Sequence, residues 1–177
     1  MNSDNGNLYL AIQQRLEDQK DNTNKRYLPM VTADMQQLNI DQPPLKFPCA
    51  LIGGFSFEYK QGGDLVRFGS GSLTIKVCFT PYSDVSNLKE IQFREKGLNF
   101  FNLAQIVYLA LHGWHPAYMQ GETDLLGNVA GRLMCTRERQ LPRNDDIIVY
   151  EFTFTLSKDD YSAKPVKGTA PRPSFTL

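Results

Sequence analysis

Histidine and tryptophan are scarce in this chain: 177 residues hold two histidines, His112 and His115, and one tryptophan, Trp114. The motifs that carry common chemistry are missing as well. There is no HExxH, HxH or CxxC pattern to hold a zinc ion. There is no GxSxG elbow, and neither histidine has an acid and a nucleophile at motif spacing. Gly53-Gly54 and the Gly69–Gly71 run belong to no GxGxxG or GxxxxGK(S/T) phosphate loop. No catalytic residue, cofactor or metal ligand is expected.

Charge of one sign is lacking too. Lys plus Arg and Asp plus Glu both number 19, so the formal net charge is zero. Such a chain has no long-range field to draw in a polyanion, and specific nucleic-acid binding is not expected. Equally, little repulsion keeps copies apart, which permits self-association. No apolar run approaches the ~18 residues that span a bilayer, so no membrane partner is expected. Residues 2–7 are polar and residues 8–12 are too short for a signal-peptide core. The three cysteines, Cys49, Cys78 and Cys135, are odd in number and sit in apolar, strand-like contexts. They read as reduced core thiols of a protein made in a reducing cytoplasm.

What is present is a patterned single domain. The hydrophobic fraction of 41% and charged fraction of 21% are ordinary for a globular chain. Residues 1–7 are expected to be disordered, with Asn7 capping a helix over 8–21 in which Leu8, Ile12 and Leu16 share a face. A short strand is expected near 30–34, and the prolines at 43, 44 and 48 make 39–48 a loop. A strand at 49–52 continues into Phe55, Phe57 and Tyr59 across a bend at Gly53-Gly54. Residues 61–64 signal a turn, and the Gly/Ser-rich 67–72 read as a hairpin tip. Leu73, Ile75, Val77 and Phe79 alternate with polar residues as a half-buried strand. Helical character runs from 87 to 112, with 97–102 as the place where it can break, and Gly113 follows as the C′ residue. Strands at 132–139 and 147–156 close the domain. The expected architecture is α+β, a mainly antiparallel sheet of about 4–5 strands with two principal helices on one face. It spans 8–161, with an extended hairpin and a basic, proline-containing tail at 162–177.

Each remaining cluster has a plain reading beside its chemical one. His112 and His115 flank a helix end, where His112 suits the C-terminal carbonyls. Asp145-Asp146 and Asp159-Asp160 read as solvated turn acids. Arg132, Arg137, Arg139 and Arg143 suit either a phosphate patch or salt bridges within and between subunits. On a regular strand Arg137 and Arg139 would share the face of Leu133 and Cys135, marking a strand that leaves the core toward a rim. Trp114 and Tyr118 suit core packing or an interface. The candidate interface residues are therefore Phe68, Trp114, Tyr118, Arg137, Arg139, Arg143, Lys167 and Arg172.

The order of elements resembles a known family. The first helix with Leu8, Ala11 and Leu16, the strand at 47–52, the alternating strand at 73–79 and the acidic loop at 82–84 occur in the order seen in tail completion and tail terminator proteins of long-tailed bacteriophages. The helix ending in Leu111, His112, Gly113 and Trp114, the strand with Thr136, Arg137, Glu138 and Arg139, and the closing residues 160–163 extend the likeness over residues 8–163. The resemblance implies a non-enzymatic virion subunit that forms a ring, commonly a hexamer, at the tail–neck junction, assembled in the host cytoplasm. Implied partners are further copies of the chain, the tail tube protein and neck or connector proteins, with DNA passing through the lumen unread. Another neck or contractile-injection ring subunit is the nearest alternative. A small-ligand enzyme using His112 and His115, or a peptide-binding adaptor, would belong to other classes. The 115–131 loop and the tail depart from the family pattern and suit subunit-to-subunit arms.

Overall fold

The computed structural model describes residues 4–63, 65–80, 86, 88–116, 131–142 and 146–160. Among these residues three α-helices and five strands follow in the order α1 (Asp4–Glu17), β1 (Met30–Ala33), β2 (Cys49–Gln61), β3 (Arg67–Phe79), α2 (Ile91–Gly97), α3 (Asn99–Leu111), β4 (Met134–Leu141) and β5 (Ile148–Asp160), with a 3-10 turn at Gln37–Asn39 between β1 and β2. The strands form one sheet in the order β1-β2-β3-β5-β4. Only β1 runs parallel to its neighbour, β2; the other three pairings are antiparallel. The α+β architecture and mainly antiparallel sheet are thus as the sequence pattern implies.

Helices α1 and α3 cover one face of the sheet. Leu8, Ile12 and Leu16 from α1 and Ala104, Val107 and Leu111 from α3 are buried with Ile52, Leu73, Ile75, Val77, Phe152 and Phe154. The spacing explains this: three- and four-residue steps on the helices and two-residue steps on the strands each build one apolar face. On the opposite, outer face a smaller apolar cluster joins Leu38, Cys49, Leu51, Cys78 and Val149. Cys49 and Cys78 are directly paired across β2 and β3. Their thiols are free and fully buried. The Cys78 thiol is pushed up, first by the hydrogen bond with Cys49 and then by burial. As reduced core residues they match the sequence reading.

Several local expectations change. Residues 4–7 are helical, so α1 starts ahead of the expected Asn7 cap. A tertiary contact explains it: Lys158 Nζ on β5 donates to Asn5 Oδ1 at 2.9 Å, tying the helix start to the sheet. The Gly/Ser run at 67–72 is strand, not hairpin tip. Its glycines are covered by aromatic rings from β2, so that a Cβ on Gly69 would meet Tyr59 Cε1 at 2.7 Å and one on Gly71 would meet the Phe57 ring at 2.5 Å. Such cross-strand cover compensates for the missing side chains. Lys158 lies over the Phe57 ring at 5.3 Å and is 5% exposed, its stem lying along the same apolar surface. Asp159 and Asp160 belong to β5 rather than to a turn. The bend at Gly53-Gly54 is present as a register shift between Gly53 and Ser56, with Gly54 at φ 62°. The helical run is divided into α2 and α3 near Leu98, and Gly113 follows α3 at φ 75°, the left-handed geometry that favours glycine. The loop at 82–84, residues 117–130 and the tail from 161 lie outside the described residues.

Candidate interaction surface

The outer face of the sheet carries no α-helix among the described residues; the 3-10 turn Gln37–Asn39 lays Leu38 on its small apolar cluster. Across its middle runs a row of alternating charge. Lys76 Nζ on β3 meets Asp34 Oδ2 at 2.6 Å. Lys76 is also the cross-strand neighbour of Glu151, and Glu151 is that of Arg139. Arg139 closes the row, its Nη2 2.7 Å and its Nε 2.8 Å from Glu151 Oε1. Glu151 is 8% exposed, so this fork satisfies a carboxylate largely removed from water. Space for Asp34 depends on Gly53, because a Cβ there would meet Asp34 Cβ at 2.7 Å.

On one side of this row lies the small apolar cluster. On the other, Ser56, Glu58, Ser70, Ser72, Arg132, Met134, Thr155 and Ser157 line an open groove of about 590 Å³. Hydroxyls dominate it, Glu58 and Arg132 are its charged members, and neither histidine lines it.

Arginine positions on β4 are reset by an irregularity. Cys135 pairs with Phe154, but Arg137 pairs with Thr153, leaving Thr136 as an extra residue. This bulge flips the following side chains. Arg137 and Arg139 therefore share the outer face with Thr153 and Glu151, not the face of Leu133 and Cys135 as a regular strand would have it. Arg139 is an intramolecular ion-pair partner, while Arg137 is exposed. Phe68 is 47% exposed at the far end of the hairpin on the outer face, where its ring lies against Gly62. Trp114 is half-buried against the main core, with the Arg15 guanidinium 5.8 Å from its ring centroid. Its indole N–H is buried and has no hydrogen-bond partner among the described residues. Tyr118, Arg143, Lys167 and Arg172 lie outside the described residues. The structure thus places Phe68, Arg137 and Arg139 on the same sheet face and sets Trp114 apart.

His112 is engaged with the sheet. His112 Nδ1 accepts a hydrogen bond from the Cys135 N–H at 3.1 Å, and its ring stacks on Tyr108 with centroids 4.8 Å apart. It caps a sheet edge, a role different from the expected one at the helix carbonyls. Burial pushes the Cys135 thiol up. Among the described residues no three His, Cys, Asp or Glu side chains gather as metal ligands would. No described helix is long and apolar enough to cross a membrane.

A second surface escaped the sequence pattern. Around α2 the side chains of Leu88, Ile91, Phe93, Leu98 and Phe101 are exposed, Leu88 by 90% and Ile91 by 65%. Only Gly97 of α2 is buried, because this seven-residue helix packs on α3 and not on the sheet. The sequence pattern shows only a helical run from 87 to 112 and carries no signal that its first part stands away from the sheet. Clustered exposure of this kind marks contact surfaces on folded proteins.

No family model and no curated protein matches this chain. Among solved structures it is similar to a chain in "Virion of native gene transfer agent (GTA) particle", with a TM-score of 0.50, 14% identity, and coverage of 86% of this chain and 94% of that one. At that identity the likeness is one of fold, carried through nearly the whole length of the other chain.

Proposed function

We propose that this chain is a non-enzymatic structural subunit of a phage-like virion, a tail-terminator or tail-completion protein that forms a ring between tail tube and neck. The observation that carries this reading is the fold shared with a chain of the gene transfer agent virion, over 94% of that chain. The family resemblance in the order of elements points the same way. So do the exposed apolar residues around α2 and an outer sheet face made of ion pairs and hydroxyls. In the ring, copies of the chain meet head to tail through two different surfaces, as closed cyclic assemblies require. The tail tube protein lies on one side of the ring, neck proteins on the other, and DNA passes through the lumen. Cryo-electron microscopy of particles from cells expressing the chain tests this. Density for the chain as a ring at the tail–neck junction supports it; particles complete without the chain contradict it.

A further inference from the structure

Among the described residues, the two edges of the sheet are bare over matching lengths. On its outer side β2 is paired with β1 only from Cys49 to Ile52. Beyond the Asp34 N–H to Ile52 C=O bond at 2.8 Å, no described strand lies beside residues 55–61 on that side. At the opposite edge, β4 begins under cover. Leu133 N–H donates to Trp114 C=O, Gly113 N–H donates to Leu133 C=O, and Cys135 N–H donates to His112. From 136 to 141 no described strand covers β4. Long bare edges are templates for strand addition unless they are blunted.

We propose that the sheet of one copy is continued by the next: residues 136–140 of β4 pair antiparallel with residues 55–59 of β2 in a second copy. This rests on the ring reading above. The polarity follows from the topology. Each of the steps β2–β3, β3–β5 and β5–β4 is antiparallel, so β4 runs opposite to β2, and a neighbour added in the same orientation presents an antiparallel β2. The register follows from charge. Glu58 and Arg137 are both exposed, both on the outer face, and neither has an ion-pair partner among the described residues. Setting them opposite brings Ser56 beside Arg139 and Phe57 beside Glu138. It also carries Lys60 past the open segment to Cys135, away from Arg137. The contact joins two different edges, so it propagates from copy to copy and closes as a ring. Pairing of the β2 edge with itself would stop at a dimer.

Engineered cysteines test the pairing. Glu58→Cys and Arg137→Cys are made separately in a Cys135→Ser background; both sites are exposed and leave the core untouched. Each variant alone, and the two mixed, are oxidised with copper-phenanthroline and run on a denaturing gel, with light scattering reporting the assembly before oxidation. The expected result is a cross-linked dimer in the mixture and not in either variant alone, and a ladder for the double variant. A ring by light scattering with no cross-link in the mixture overturns the pairing while leaving the ring reading intact. Cross-linking of Glu58→Cys with itself at the same yield as the mixture overturns it in favour of a two-fold β2 contact. Monomers in every sample overturn the ring reading and the pairing together.

Discussion

The imidazole of His112 holds the backbone N–H of Cys135, its Nδ1 acting as acceptor at 3.1 Å, and so joins the end of α3 to the start of β4. The bond occupies a donor that points away from β5, at the point where the sheet edge would otherwise begin. His112→Phe keeps a ring to stack on Tyr108 but removes the acceptor. A backbone donor left half-buried without a partner costs about 1–2 kcal/mol. Urea unfolding should show that loss as a lower midpoint with unchanged m. An unchanged midpoint would mean that water replaces the imidazole without loss.

The Asp34–Lys76 pair, at 2.6 Å with side chains 11% and 23% exposed, is sheltered enough to matter. Removing one partner strands a charge on the sheet face. Lys76→Met should destabilise by about 2–3 kcal/mol, less than for a fully buried pair. A double-mutant cycle with Asp34→Asn should return a coupling of about 1–2 kcal/mol. Additive single effects would show that the two side chains act independently.

Gly71 has no room for a side chain, because Phe57 and the Ser56 carbonyl lie where a Cβ would stand. Gly71→Ala should destabilise by about 1–3 kcal/mol through the shift it forces on β2. Phe57→Ala should cost a similar amount by uncovering the same site. Thermal melts of both variants check this, and a melting temperature unchanged in Gly71→Ala would contradict the close approach of the two strands.

Asp21 organises the turn between α1 and β1. Its Oδ1 accepts from the Thr23 hydroxyl at 2.6 Å, the Thr23 N–H at 2.8 Å and the Lys25 N–H at 3.0 Å. The Thr23 hydroxyl bond, followed by the bond from Lys25, lowers its pKa. A carboxyl whose folded pKa lies below its unfolded one adds stability above the unfolded value and loses it as pH falls through the folded one. The turn is therefore expected to loosen below the ordinary carboxylate range. Protection of the Thr23 and Lys25 amides, taken relative to the intrinsic exchange rate at each pH, should fall there in the wild type and be low at every pH in Asp21→Ala.

Much of the fold was readable because periodicity and burial agree. Leu8, Ile12 and Leu16 on α1, the alternation of β3, and Gly113 after α3 stand where the pattern puts them. What misled was register. One extra residue at Thr136 moves Arg137 and Arg139 to the other face, and nothing in the run from Arg132 to Arg139 marks the bulge. Similarly, the helix start at Asp4 depends on a lysine more than 150 positions away, and the glycines of β3 depend on rings from β2. The interaction surface was harder still. Phe68 and Arg137 are exposed as an interface needs, but Arg139 is engaged within its own sheet, and the sequence pattern does not single out the apolar surface around α2.

Mass in solution tests the central claim most directly. Light scattering on the purified chain, across a range of concentrations, should give a discrete species near six times the 20.1 kDa chain mass. A closed ring holds that mass on dilution until it dissociates to monomer. A mass of one chain at every concentration, or one that grows without limit, would contradict a ring subunit.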